Sequence, residues 1–198
     1  MIVLPILAAA AMSVANADVA FSRRMLPARP GSGNVFADLL VGPDGRVERC
    51  KVIYSRGSAR AGERYCERAI GLKSGEPALG PDGNPAYGMA DFDLVVRPVG
   101  VPNVRVPSRP ADFELTVTSL PEQFGSKLRV LVALFVSETG AVLNCERNPD
   151  SVAPASYGTA ACEQLQQMAR PVMRNRAEAA VPYVDGVVVD FVVETPAR

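Results

Sequence analysis

Apolar and polar residues alternate in several short runs, and this alternation predicts most of the strands of the chain. Residues 35–41 alternate and lead into residues 42–45 (Gly-Pro-Asp-Gly), a combination typical of a tight turn. A second strand is predicted over 47–54, at hairpin distance. Apolar residues at helical spacing predict a helix over 59–72, and alternation returns over 89–96. The first half of the chain therefore predicts the order β-β-α-β.

The second half of the chain repeats this order. Strands are predicted over 128–136, 142–146 and 187–193, and a helix over 156–169. A repeat of this length indicates one packed unit that has been duplicated, because solenoid repeats have shorter periods. The residues that recur at matching places are Val41 and Val136, Gly45 and Gly140, Cys50 and Cys145, and Cys66 and Cys162.

These patterns predict an α+β protein with two tandem β-β-α-β domains, each a small antiparallel sheet with one helix packed on a face. The domains are predicted over 34–97 and 113–195. The segment between them, 98–112, is rich in proline and is expected to be a linker without helix. Residues 113–117 add a further predicted strand, and residues 18–33 are expected to form an N-terminal arm.

The N-terminus carries an apolar run that ends in Ala15-Asn16-Ala17. A small residue on either side of a variable one, after an apolar run, is typical of the cleavage site of a secretory signal peptide. Residues 1–17 are therefore predicted to be a signal peptide. The alternative is an uncleaved membrane anchor, although the run is short for a bilayer span.

The four cysteines are predicted to form disulfides, since an exported chain folds in an oxidising compartment. The duplication selects the pairing of Cys50 with Cys66 and of Cys145 with Cys162. Each bond would close a loop worth about 3 kcal/mol in the chain-entropy model. A four-cysteine zinc site is the alternative, but the paired CxxC motifs of such sites are missing.

Composition argues against catalysis and against nucleic-acid binding. The chain has no histidine, which excludes Ser-His-Asp and Cys-His catalysis, and its formal net charge is zero. Asp91 and Asp93 share a strand face and are the alternative for an acid-base pair, but this spacing is common on solvated faces. We expect no enzymatic activity, no cofactor and no metal site.

An ordered series of short motifs resembles the C-terminal domain of TonB-type energy transducers. The marks are the alternating strand 35–41, the turn at Asp44-Gly45, Val-Ile-Tyr-Ser-Arg-Gly-Ser at 52–58, Glu-Pro-Ala at 76–78, and Asp-Gly-Asn-Pro at 82–85. The second copy is more degenerate. A full transducer also has a transmembrane helix that carries a histidine, and a long proline-rich spacer. This sequence has no histidine and no such spacer, and it is expected to have no anchor if residues 1–17 are removed.

The resemblance implies a periplasmic module of the cell envelope, with a role in transmembrane transport. Family members bind an extended segment of an outer-membrane transporter by pairing it beside their last strand. An envelope protein or a TonB-dependent outer-membrane transporter is therefore the expected partner. The alternative is a structural envelope protein that forms a homodimer or a scaffold and has no role in transport. The residues of the implied binding edges are Met89, Asp91, Phe92, Asp93, Val95, Val187, Val189, Phe191 and Val193.

Overall fold

A computed structural model describes residues 12–15, 33–56, 59–73, 76–96 and 110–194. Both halves contain the predicted β-β-α-β order, with one short strand added in the first half and one before the second. The strands are β1 Gly33–Val41, β2 Val47–Arg56, β3 Ala78–Leu79, β4 Pro85–Val96, β5 Phe113–Val117, β6 Lys127–Val136, β7 Val142–Arg147 and β8 Tyr183–Val193, and the helices are α1 Ala59–Ala69 and α2 Ala155–Leu165.

The prediction of two separate antiparallel sheets is wrong, because the strands form one continuous mixed sheet. Its order is β2-β1-β4-β8-β6-β7, with β3 paired to β4 and β5 paired to β8. The units join where the last strand of the first half, β4, runs parallel to the last strand of the second half, β8. Tyr87 pairs there with Tyr183, and Gly88 pairs with Val184. Strand β5 is also parallel to β8. Alternation within a strand predicts its faces, but not its neighbour in the sheet.

The two helices pack on opposite faces of this sheet. Helix α1 buries Tyr65, Cys66 and Ala69 against the odd-numbered residues of β1. Helix α2 buries Ala161 and Leu165 against the even-numbered residues of β6. Two copies of one unit that meet through parallel strands are related by a half-turn about the strand direction, and this rotation exchanges the two faces. We call these faces the α1 face and the α2 face; each unit leaves one of them without a helix.

Both predicted disulfides are present, and each joins the second strand of its unit to the helix of that unit. Cys50 bonds to Cys66, with 5.1 Å between their Cα atoms, and Cys145 bonds to Cys162, with 5.5 Å. Cys50 lies opposite Leu39 on the α1 face and Cys145 opposite Leu134 on the α2 face, so each bond fastens its helix to its own side of the sheet.

Much of the predicted N-terminal region and linker lies outside the described residues. Of the predicted signal peptide, the structure describes only 12–15, and of the predicted linker only 110–112. The predicted N-terminal arm lies outside them except for Gly33. Within the described part of the chain, no helix is long and apolar enough to cross a membrane. The two disulfides indicate an oxidising compartment.

Candidate functional site

Strand β8 is an interior strand of the sheet, so the binding edge predicted there is wrong. On one side, Val187 and Val189 pair with Val132 and Val130 of β6. On the other side, β8 pairs with β5 from Val189 to Val193. A peptide has no free edge to add to in this part of β8, because both sides already have a neighbouring strand. The side chains of Val187, Val189 and Phe191 are buried in the core, and Val193 is half-buried.

Strand β4 has a different environment, because the sheet forks beside it. One edge of β4 pairs with β1 from Gly88 to Val96. The other edge pairs with β8 only at Tyr87 and Gly88. Beyond this point β8 has β5 as its neighbour, so the strands β4 and β8 separate there. The edge predicted over Met89, Asp91, Phe92, Asp93 and Val95 therefore lies along the fork.

A cavity of about 460 Å³ lies beside the fork, on the α2 face of the first unit. Its walls come from three neighbouring strands and from the segment that leads into β5. Ile53 and Tyr54 remain 54% and 49% exposed there, and the rings of Phe36 and Tyr54 lie 6.0 Å apart in a tilted arrangement. The residues that line the cavity are Phe36, Ala37, Asp38, Ile53, Tyr54, Asp91, Phe92, Pro110, Ala111 and Asp112.

The carboxylates that meet across strands at this cavity are Asp38 and Asp91. They are direct partners in the β1–β4 register and face the same side of the sheet. The sequence had placed Asp91 beside Asp93 instead, because only neighbours within one strand can be seen in a sequence. Asp112 is a third carboxylate of the lining. Phe92 belongs to the opposite face, where its ring stacks on Tyr65 with 4.7 Å between centroids. Phe92 is therefore largely a core residue.

A loop of the second unit, residues 170–180, covers the rest of this face of the first unit. Arg49 donates two hydrogen bonds to the carbonyl oxygen of Asn175 and forms an ion pair with Glu178. Glu48 accepts a hydrogen bond from the backbone N–H of Arg176 at 3.0 Å. These contacts join the units through side chains as well as through the sheet. No residue of this loop lines the 460 Å³ cavity, whereas a second space of about 740 Å³ lies between the loop and the first unit.

The apex of the fork is held by a partly buried ion pair. Arg170 donates from Nη2 to Oδ2 of Asp185 at 2.5 Å, and its guanidinium lies 5.5 Å from the ring centre of Phe113, the first residue of β5. Nearby, the hydroxyl of Tyr183 donates to the carbonyl oxygen of Pro171 at 2.8 Å, and burial raises the pKa of Tyr183 to about 12. The residues that make these contacts, where β8 changes neighbour from β4 to β5, all belong to the second unit.

A second cluster of charges lies on the α1 face of the second unit. The carboxylate of Asp190 is fully buried and accepts hydrogen bonds from Nε and Nη2 of Arg129 at 2.8 and 3.0 Å. Lys127 lies 2.6 Å from the same carboxylate. The hydrogen bonds from Arg129 and Lys127 lower the pKa of Asp190. Since each charge is satisfied by the others, this cluster stabilises the fold and offers no site for a ligand.

Among the described residues, no three carboxylate or cysteine side chains are arranged so that they could hold a metal ion. The binding edge on β4 stays a prediction, and the sequence-based prediction did not include Phe36, Ile53 and Tyr54, which line the cavity beside it. Phe36 alternates with buried residues, and a large apolar side chain on the outward face of a strand was the available signal. Comparison of the chain with protein-family models, with curated proteins and with solved structures found no match.

Proposed function

We propose that this chain is a periplasmic interaction module that resembles the C-terminal domains of TonB-type transducers. It binds an extended segment of an envelope or outer-membrane transport protein by adding that segment as a strand to β4. The observation that carries the proposal is the fork. Residues 88–96 pair with β1 on one edge, and on the other edge the pairing of β4 with β8 ends at Gly88, where β8 turns to β5. The proposal assigns no catalytic activity.

The cavity supports the proposal because it lies where the side chains of an added strand would reach. In strand addition, backbone hydrogen bonds supply affinity, and pockets for alternate side chains supply specificity. The exposed parts of Ile53 and Tyr54 offer an apolar surface for those side chains on the α2 face. An apolar or aromatic residue at every second position is therefore the expected pattern of the bound segment.

The outer edges of the sheet support strand addition less well. Strand β2 is one of the two outer strands, and it carries three charged residues, Glu48, Arg49 and Lys51, within four consecutive positions. Charged residues on an edge strand oppose pairing with another chain. Self-association is the alternative predicted from the sequence, and β2 is accordingly a weak candidate for the edge that would carry it.

The test uses the full chain with twelve-residue peptides tiled over the periplasmic segments of the outer-membrane transporters of its host. Amide hydrogen exchange on the complex is expected to slow at every second residue of 89–96, because an added strand accepts hydrogen bonds from the amides that point away from β1. A peptide with N-methylated backbone amides is expected to lose binding. Protection elsewhere, or binding that survives N-methylation, would contradict the proposal, as would the absence of any binding peptide.

A matched pair of variants tests the cavity. Ile53 and Leu143 each lie on the second strand of their unit and are 54% and 61% exposed, but only Ile53 lines the cavity. Ile53→Ser is expected to weaken peptide binding about five- to tenfold, the effect of losing roughly 1 kcal/mol of apolar contact. Leu143→Ser is expected to leave it unchanged. Equal effects of the two variants would show that the cavity is not part of the site.

A further inference from the structure

Residues 12–15 lie in a groove at the junction of the two units. The segment is extended and forms a reciprocal pair of backbone hydrogen bonds with the edge of β3. The N–H of Ser13 donates to the carbonyl oxygen of Leu79 at 3.3 Å, and the N–H of Leu79 donates to that of Ser13 at 3.1 Å. This is the bonding pattern of an added antiparallel strand.

The side chains of the segment fill an apolar space on the α1 face. Met12 and Ala15 are 2% and 7% exposed, and they belong to one core cluster with Ala133 of β6 and Val184 of β8. The groove is thus lined by both units and exists only because they share a sheet. The second unit has no helix on this face, so the segment covers apolar surface that the unit's own helix does not.

Two glycines make room for the segment. A Cβ placed on Gly186 would lie 3.0 Å from Cγ1 of Val14, and the three nearest atoms all belong to Val14. A Cβ on Gly88 would lie 2.5 Å from Cβ of Ala78 in β3 and 2.8 Å from Cβ of Ala15, so both β3 and the segment require a glycine there. Glycine inside a strand often marks a place where another backbone approaches closely. Because Ala15 lies so close to Gly88, any segment bound in this groove needs a small residue at its fourth position.

The rim of the groove adds a polar contact at the start of the segment. Glu146 of β7 accepts a hydrogen bond from the backbone N–H of Met12 at 3.2 Å, and Asn144 donates to the other oxygen of Glu146 at 3.1 Å. Backbone hydrogen bonds at both Met12 and Ser13 are independent of side-chain identity. A different segment with apolar side chains at the first and third positions and a small one at the fourth would satisfy the same groups.

We propose that this groove is a second site that accepts an added strand. Residues 12–15 fill it within the uncut chain. Once the chain is cut after Ala17, the groove accepts an extended segment of a partner protein. The ligand is a peptide with the pattern apolar, variable, apolar, small. Its affinity comes from the edge of β3, and its specificity from the spaces at Gly88 and Gly186. The proposal does not depend on peptide binding at β4, because the groove lies on the α1 face and the cavity beside β4 on the α2 face, although both sites adjoin Gly88.

The test measures binding of a fluorescent peptide of residues 10–17 to the full chain and to variants that expel the segment. Ala15→Trp places an indole against Gly88, where a methyl group already lies close, and Val14→Asp places a charge against Gly186. Val152→Trp is the control, since Val152 is 90% exposed and distant in sequence. The chain has no tryptophan of its own, so the emission of each introduced indole reports whether it is buried.

We expect the peptide to bind the two expelling variants at least tenfold more tightly than it binds the unaltered chain or Val152→Trp, because the segment within the chain competes for the groove. A peptide with Ser13→Pro, which lacks the N–H that donates to Leu79, is expected not to bind. Equal binding by all chains, equal binding of both peptides, or no binding by either expelling variant would overturn the proposal. The unaltered chain could also be found to be a dimer that Ala15→Trp converts to a monomer. This result would assign the groove to a second copy of the chain and overturn its assignment to a partner protein.

Discussion

Replacement of Asp190 by asparagine tests whether the buried charge cluster stabilises the sheet. Asp190 is fully buried. Its carboxylate accepts two hydrogen bonds from Arg129 and forms an ion pair with Lys127 at 2.6 Å. A hydrogen bond to a charged group contributes about 1.5–3 kcal/mol to the free energy of unfolding. Breaking a buried pair from one side costs about 3–5 kcal/mol.

The structure places the expected effect of Asp190→Asn below that range. The side chains of Arg129 and Lys127 are 37% and 49% exposed, so both cations regain water when the carboxylate is lost. The asparagine oxygen also keeps part of the hydrogen bonding. We therefore expect a loss of about 2–3 kcal/mol in the free energy of unfolding at pH 7.

The pH dependence of this loss is a second part of the same prediction. The pKa of Asp190 is lower in the folded than in the unfolded chain, because Arg129 and Lys127 donate to the charged form. The stabilisation is therefore complete above the unfolded pKa, near 4, and is lost as the pH falls through the folded value. The difference between the two proteins is expected to be constant from pH 5 to 7 and to shrink below about pH 4.

The assay is urea unfolding of both proteins from pH 3 to pH 7 with the disulfides intact. Glu114→Gln is the control, because Glu114 lies 3.9 Å from the same Lys127 but is 63% exposed and should matter by less than about 0.5 kcal/mol. A loss below about 0.5 kcal/mol for Asp190→Asn at pH 7, or a loss that persists unchanged at pH 3, would refute the reasoning.

Two further predictions concern the turns and the joined sheet. Gly71 and Gly140 both have φ of +85°, but a Cβ on Gly71 would meet only Arg176 at 4.0 Å, whereas one on Gly140 would overlap the carbonyl oxygen of Arg170. In urea unfolding, Gly71→Ala should lower the free energy of unfolding by about 1–2 kcal/mol, because alanine strains the left-handed backbone. Gly140→Ala should lower it by about 1–3 kcal/mol more, because the added methyl group overpacks against Arg170. Equal losses would show that the contact with Arg170 is unimportant. Because β4 and β8 share one sheet, calorimetry should show one unfolding transition with equal calorimetric and van't Hoff enthalpies, and two separate transitions would contradict this.

The local order of the chain could be predicted from its sequence, because each of its signals acts over a few residues. Alternation set the strands, since side chains point to opposite faces at every step. The start of α1 at Ala59 was predicted, and its end differed by only a few residues. The disulfide pairs followed from the duplication, because a cysteine that recurs in both copies has its partner in its own copy.

The candidate site could be predicted only in part. The edge of β4 was predicted because β4 is the last strand of its unit, and it stays a prediction. Strand β8 has the same place in its own unit, but β5 takes its second edge. A pairing between distant strands is decided by shape and hydrogen bonding across the whole sheet, so two equivalent strands differ in what lies beside them. For the same reason the sequence paired Asp91 with Asp93, while the sheet places Asp91 opposite Asp38.

The local pattern of the chain was thus enough to predict most of its strands, both helices and both disulfides. The packed chain shows in addition that the two units share one sheet, that their helices lie on opposite faces, and that each unit leaves one face without a helix. The loop 170–180 covers one of these faces and residues 12–15 cover part of the other. The physical reason is that backbone edges carry no side-chain pattern, so the choice of neighbour appears only when the whole chain is packed.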